Sequence, residues 1–170
     1  MASYCTEYHS ELIGPLTVAS DGMGVVGCWF NNDRYFGYGV AGPMERRDDE
    51  PILRQACAWL DRYFAGDEPD PRELPLAARS TPFQLLVREA MLDIPYGQTS
   101  TYGDIARRLE AQTGRRQSAR AVGGAVGRNP LCVIVPCHRV VGSSGSLTGF
   151  GGGVAMKVKL LEHEGIDTAR

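Results

Sequence analysis

The chain has 170 residues, 43% of them hydrophobic and 22% charged, enough to bury a core and to form one domain or two small ones. No apolar stretch is long enough to span a bilayer, and Met1-Ala2-Ser3-Tyr4-Cys5-Thr6-Glu7 lacks the basic and apolar regions of a signal peptide, so a cytoplasmic protein without a membrane partner is expected. The net charge of −2 hides an asymmetry: residues 1–78 hold six arginines and no lysine against thirteen acids (−7), whereas residues 79–170 hold twelve basic residues against seven acids (+5).

From the N-terminus, Leu16-Thr17-Val18-Ala19 and Gly24-Val25-Val26-Gly27-Cys28-Trp29-Phe30 alternate like strands around an Asp21-Gly22 turn, which predicts a small antiparallel sheet. Ile52, Leu53, Cys57, Leu60 and Phe64 then recur at helical spacing and stop before Gly66, predicting one helix packed on that sheet. Asp67 to Pro75, with three prolines and four acids, reads as an extended connection. Thr81-Pro82 opens a helix with Phe83, Leu86, Val87, Ala90 and Met91 on its apolar face, closed by Pro95-Tyr96-Gly97. Ser100 or Thr101 caps the next, Tyr102 to about Ala111, with Ile105, Ala106 and Leu109 inward; Gly114 punctuates, and Ser118 to Gly127 forms a third from small residues. Two short helices around a glycine-containing turn, the second carrying arginines, suggest a helix-turn-helix, although many helical hairpins bind no DNA. A final helix, roughly Gly153 to Glu164, places Val154, Val158 and Leu161 on one side. The expected class is α/β (α+β) in two domains: 1–78, a small antiparallel sheet with a helix, and 79–170, mainly helical with the helix-turn-helix.

The chemistry concentrates in Ile134-Val135-Pro136-Cys137-His138-Arg139-Val140-Val141, where a thiol sits beside an imidazole inside an apolar run. A free cysteine with pKa near ~8.5 is mostly protonated at neutral pH, so a histidine able to take its proton makes it a strong soft nucleophile. Neighbours on an extended strand point to opposite faces, so a bridging water or a turn must connect Cys137 with His138. The plainer alternative is a core cysteine next to a strand-end histidine.

Together with Ile94-Pro95-Tyr96-Gly97, Arg120-Ala121-Val122-Gly123-Gly124-Ala125, Asn129-Pro130, Gly149-Phe150-Gly151-Gly152-Gly153 and Leu160-Leu161-Glu162-His163-Glu164-Gly165, this segment resembles the active domain of the O6-alkylguanine-DNA alkyltransferases from about Thr81 to Gly165. In the first half only Ile13-Gly14-Pro15-Leu16 resembles that family. The resemblance implies a methylated-DNA–protein-cysteine methyltransferase: a monomer, without cofactor, that binds double-stranded DNA carrying O6-alkylguanine, flips the base out, and takes the alkyl group irreversibly onto Cys137 in a single turnover. Cooperativity on DNA is left open.

It also implies residue roles. His138, acting through water, takes the thiol proton, Glu164 orients the imidazole, and Tyr102 offers a proton to the purine ring. Arg120 replaces the extruded base, and Ala119, Ala121, Gly123 and Gly124 are small so that the helix enters the minor groove, though small residues suit helix–helix packing equally. Thr101 and Arg128 complete the expected DNA-binding set, and Arg107, Arg108, Arg115 and Arg116 add to a phosphate-binding surface. Asn129 pins the turn between recognition helix and active site. The carbonyls of Cys137 and Val140 accept from the guanine amino group, while Phe150, Gly151 and Gly152 form the pocket lip, with the Gly151 N–H directed at O6.

The chain departs from the family pattern at Phe150, often tyrosine, which keeps stacking but loses a hydroxyl, and in a longer spacing between Tyr102 and Arg120. A P-loop reading of the glycines fails for want of a Lys-Ser or Lys-Thr ending. Cys5, His9 and Cys28 are too irregular for a zinc site, and five cysteines fit a reducing compartment rather than a disulfide framework, so no metal is expected. A lesion-sensing relative would lack Cys137, a papain-like hydrolase would need a remote histidine and an oxyanion hole, and a plain DNA-binding regulator would leave Cys137, His138 and Glu164 without a purpose.

Overall fold

In a computed structural model that describes residues 2–77, 79–147, 150 and 152–168, the opening alternation becomes a four-stranded sheet. Strands β1 (Ser3–Ser10), β2 (Gly14–Ser20) and β3 (Val25–Phe30) pair antiparallel, and β4 (Met44–Arg46) adds in parallel to β1, giving the order β3-β2-β1-β4. The sheet is therefore mixed. Sequence pattern did not single out β1 or β4, because the buried positions of β1 are Ser3, Thr6 and Ser10 rather than apolar residues. Two of the hydroxyls are bonded: Thr6 Oγ1 donates to Asp48 at 2.7 Å, and Ser10 Oγ accepts from the Leu12 and Ile13 N–H groups.

Helix α1 (Pro51–Phe64) buries Leu53, Ala56, Trp59, Leu60 and Tyr63. Its N-cap is the buried Glu50, which accepts from the Ile52 and Leu53 N–H groups and, at 2.6 Å, from the Ser20 hydroxyl of β2. The connection from Asp67 to Pro75 is not wholly extended. Asp70 caps a single 3-10 turn at Pro71–Glu73, and its carbonyl accepts from the Trp59 indole at 3.0 Å.

The chain divides into two compact units, Met1–Arg79 with Pro130–Ile134, and Ser80–Asn129 with Val135–Arg170. Residues 130–134 join the first unit because Cys28 of β3 exchanges backbone hydrogen bonds with Pro130 and Cys132. Val133 there has φ of 71° and the Ile134 N–H returns to the Cys132 carbonyl, a strained γ-turn for a β-branched residue that breaks the apolar run.

In the second unit, α2 (Pro82–Leu92) begins with a capping box between Thr81 and Gln84. Thr101 caps α3 (Tyr102–Thr113), Gly114 ends it in the left-handed conformation, and Ser118 caps α4 (Ala119–Gly127), which packs on α2 and α3. Short strands β5 (Ser100–Thr101) and β6 (Val140–Val141) pair in parallel. The last helix, α5 (Val154–His163), buries Lys157, Leu160 and Leu161, while Val154 is 47% exposed, so its inward face is not the one expected from Val154, Val158 and Leu161.

The doubly used Glu50 carboxylate should be the costliest cap to remove. Glu50→Ala is expected to destabilise the protein by about 2 kcal/mol, because it deletes a cap and leaves the buried Ser20 hydroxyl without its acceptor, whereas Glu50→Gln keeps an acceptor oxygen and loses less. Urea unfolding of both variants checks the order.

Candidate active site

Cys137 is placed by a turn, not by a strand. Pro136 (φ −78°, ψ 64°) lets the Cys137 N–H fold back to the Val135 carbonyl at 2.7 Å, and residues Cys137–Arg139 then form one 3-10 turn closed by the Val140 N–H on the Cys137 carbonyl. Of the two connections expected between Cys137 and His138, a bridging water or a turn, the chain makes a turn here: proline has no N–H for a strand ladder, and its fixed φ favours the reversal. Asn129 is buried just beyond α4 and donates from Nδ2 to the Val135 carbonyl at 3.0 Å, tying the end of that helix to the turn.

His138 is fully buried, and its Nε2 lies 2.5 Å from Glu164 Oε2. Glu164 also accepts from Arg139 Nε at 2.8 Å, Arg139 Nη2 at 3.2 Å and the Gly97 N–H at 3.0 Å. Burial pushes the Glu164 carboxyl up, but the hydrogen bonds and charges of His138 and Arg139 outweigh it and hold the group well below the usual carboxylate range. An ionised carboxylate only accepts, so the hydrogen lies on Nε2 of His138 and the lone pair on Nδ1. Burial keeps the imidazole below its ordinary pKa, with Glu164 opposing, so the ring is neutral and able to accept a proton.

The motif Ile94-Pro95-Tyr96-Gly97 serves this network directly. Arg139 Nη1 donates to the Ile94 carbonyl at 2.8 Å, and its guanidinium lies 5.6 Å from the Tyr96 ring centroid. Gly97 has φ of 78°, a conformation in which it presents its N–H to Glu164, and a Cβ there would stand 3.4 Å from the Glu164 carbonyl oxygen.

Cys137 is 2% exposed, and its charge acts on Tyr102 and Lys157; the Lys157 Nζ in turn lies over the Tyr102 and Phe150 rings, 5.9 and 5.8 Å from their centroids. Val140 is buried, and its carbonyl accepts from Lys157 Nζ at 2.5 Å. Tyr102 is half-buried at the start of α3; burial first, and then the charge of Cys137, pushes its phenol up, so it stays protonated. Phe150 and Gly152 are half-buried; Gly149 and Gly151 lie outside the described residues.

Helix α4 buries Val122 and Val126 and leaves Ala119, Arg120, Ala121 and Arg128 exposed, with Gly123 and Gly124 half-buried. A Cβ on Gly123 would meet only Tyr102 ring atoms at 3.8 Å or more, and one on Gly124 only the flexible Arg128 tip at 3.3 Å. Internal packing therefore does not demand glycine at either position. Thr101 is half-buried, with its hydroxyl on the Asp104 N–H. Arg107 pairs with Asp104 and Arg108 with Asp93, whereas Arg115, Arg116 and Arg120 join no ion pair among the described residues.

Among the described residues no cluster of His, Cys, Asp and Glu is arranged to hold a metal ion, and no helix is long and apolar enough to cross a membrane. Sequence reasoning passed over Arg139 and Lys157. Both signals were present: a charged residue inside an apolar run, and a lysine at helical spacing from Leu160 and Leu161.

Two family models cover the chain: "6-O-methylguanine DNA methyltransferase, ribonuclease-like domain" over residues 3–78, and "6-O-methylguanine DNA methyltransferase, DNA binding domain" over residues 82–166. The methylated-DNA–protein-cysteine methyltransferase of Haemophilus influenzae is 38% identical over 166 residues, 97% of this chain and 88% of that protein. That of Mycobacterium tuberculosis is 42% identical over 152 residues, 89% and 87%. Among solved structures, Mycobacterium tuberculosis OGT in complex with DNA is similar with a TM-score of 0.76 at 38% identity, covering 96% of this chain and 92% of that one. The O6-methylguanine-DNA methyltransferase of the archaeon Pyrococcus kodakaraensis follows at 0.68 and 25%, covering 96% and 99%.

The pH dependence of stability should follow the two depressed pKa values. His138 is held neutral in the folded protein, so its contribution is complete above about 6.5 and is lost as pH falls below the unfolded imidazole value; that of Glu164 is complete above about 4.3 and is lost in turn below it. Thermal midpoints measured from neutral pH downward should therefore fall along two limbs, with Glu164→Gln flattening the lower one. A midpoint that rises on acidification contradicts the assignment.

Proposed function

The chain belongs to the 6-O-methylguanine DNA methyltransferase family, and from that premise we propose that it repairs DNA by flipping O6-alkylguanine out of the duplex and transferring the alkyl group irreversibly to its own Cys137. The observation that carries this reading is the buried Cys137 next to an imidazole whose tautomer Glu164 fixes, with Nδ1 as the basic nitrogen. A core cysteine needs no such neighbour.

The steps follow from the groups present. His138 Nδ1 takes the thiol proton through a water, and the sulfur attacks the alkyl carbon. An S–C bond forms as the C–O6 bond breaks, its electron pair returning to guanine, which accepts a proton from the Tyr102 phenol; the proton that His138 took is passed on and replaces the one Tyr102 gives up. The products are guanine and a thioether. A thioether has no easy hydrolytic exit, so one protein repairs one lesion. Val140 and Cys137 carbonyls receive the guanine amino group, Phe150 stacks on the base, and Gly151 and Gly152 let backbone approach it.

Extrusion falls to α4. Arg120 fills the gap left by the base, while Ala119, Ala121, Gly123, Gly124, Thr101 and Arg128 lie against the minor groove; the lack of any internal demand for glycine at positions 123 and 124 supports an outside partner as the reason for their size. Asn129 keeps this helix in register with the Cys137 turn. The domain that does this is 79–170, whose excess of positive charge suits phosphates, and the protein acts as a cytoplasmic monomer.

Incubation with duplex carrying O6-methylguanine should add one methyl group to the intact protein mass, located by peptide mapping at Cys137. Turnover of excess substrate, or label on Cys132, overturns the proposal. Arg120→Ala should lower repair of duplex far more than reaction with free O6-benzylguanine, since only the duplex requires extrusion. Equal losses on both would make Arg120 a residue of the fold or the pocket.

A further inference from the structure

Lys157 is fully buried on the inner face of α5, a costly place for an ammonium group. Its hydrogen-bond acceptor is the Val140 carbonyl at 2.5 Å, and its Nζ lies 5.9 Å from the Tyr102 ring centroid and 5.8 Å from that of Phe150. Among the described residues no carboxylate pairs with it. The one carboxylate nearby in the network, Glu164, is already taken by Arg139 and His138. Arg139 and Glu164 cancel, and with His138 neutral the buried set carries one positive charge in excess. Only one acidic group in that set is left to ionise, the Cys137 thiol, because Tyr102 stays protonated. We propose that Lys157 is a positioning residue whose ammonium balances the Cys137 thiolate and holds the Val140 carbonyl where a base would be received.

This deepens the reading given above and rests on it for the substrate, but not for the electrostatics. Burial lowers the lysine to about 8 while the Cys137 charge acts to raise it, the mutual dependence expected of such a pair. The lysine also disfavours a proton on His138, as does Arg139, so the relay's proton is passed on rather than stored. Once the thiol proton has passed through His138 and left, the thiolate and the ammonium cancel and the buried set carries no net charge, which the low-dielectric surroundings favour over a lone cation.

The test uses the full-length protein and methyl methanethiosulfonate, with adduct formation at Cys137 followed by peptide mass across roughly pH 5–9. Lys157→Met fills the same space without charge. Its Cys137 profile should move upward by about one pH unit, with the rate at neutral pH falling about tenfold, while Lys157→Arg keeps the original profile. A second measurement needs no change at Lys157: the Lys157 resonance, titrated by NMR, should deprotonate at lower pH in Cys137→Ser than in the unmodified protein. An unchanged Cys137 profile in folded Lys157→Met overturns the proposal, as does an unchanged Lys157 titration in Cys137→Ser; if Lys157→Met fails to fold, the titration decides. Methyl transfer from DNA, measured alongside, separates the two readings. Its absence with the profiles shifted as expected removes the repair function and leaves the charge pairing, and its presence with unshifted profiles does the reverse.

Discussion

Glu164 is the group on which the site depends. Its carboxylate ends α5 and accepts from His138, from two nitrogens of Arg139 and from the Gly97 backbone, so four donors from two other parts of the chain meet on two oxygens. A buried carboxylate is tolerable only when so compensated, and the compensation runs both ways. Arg139 is itself buried and needs the anion; Gly97 needs an acceptor; His138 needs a partner that only accepts, because that fixes which nitrogen is basic. Replacing Glu164 by a neutral group would leave the arginine as an unmatched buried charge and free the imidazole to choose either tautomer. Structural and chemical roles are inseparable here.

Most helices of the second unit were legible because their signals are local. Thr81 with Pro82 and Gln84, Thr101 before Tyr102, Gly114 after Thr113 and Ser118 before Ala119 each announce a terminus through a side chain or a φ that the backbone needs there. Strand β1 was not legible, because polar residues occupy its buried positions and only Asp48 and the Ser10 turn, distant or irregular in sequence, satisfy them. The Cys137 turn was legible only as one of two alternatives, for a different reason. Alternating or continuous β-branched residues suggest extension, yet Pro136 and the γ-turn at Val133 reverse the chain twice within the run. The pairing of His138 with Glu164 came from family resemblance alone; no pattern of spacing links residues so far apart. Lys157 and Arg139 were visible as charges in apolar surroundings, but ordinary patterning counts such residues as solvent-facing and so discards them.

Helix α4 shows how packing evidence bears on the role proposed for it. Small residues on a helix have two common explanations, close approach of a neighbouring helix or close approach of something else. At Gly123 and Gly124 the first explanation is weak, since added carbon atoms would meet a ring at ordinary distance and a movable guanidinium. The apolar face that does pack inward is supplied by Val122 and Val126. Division of labour along nine residues therefore leaves a face of small residues that internal packing does not use, the face proposed to meet DNA, and the exposed Arg120 belongs to the same helix. Ion pairing sharpens this, because Arg107 and Arg108 are engaged by acids of their own unit while Arg115, Arg116 and Arg120 join no ion pair among the described residues.

Charge balance around Cys137 also gives direction to the chemistry. Before reaction the thiol can ionise and re-protonate, so the cation at Lys157 always has access to a counter-charge. Transfer of an alkyl group replaces that equilibrium by a neutral thioether, and no later proton movement restores the anion. The buried ammonium must then lose its own proton or remain uncompensated beside the aromatic rings of Tyr102 and Phe150. On this assignment the protein that has completed repair differs from the unreacted one by more than an alkyl group: it carries an electrostatic mismatch in its core, at the same helix whose end is held by Glu164. The electrostatics proposed to make the sulfur reactive thus make the product state the less well satisfied of the two, which the proposed single turnover tolerates.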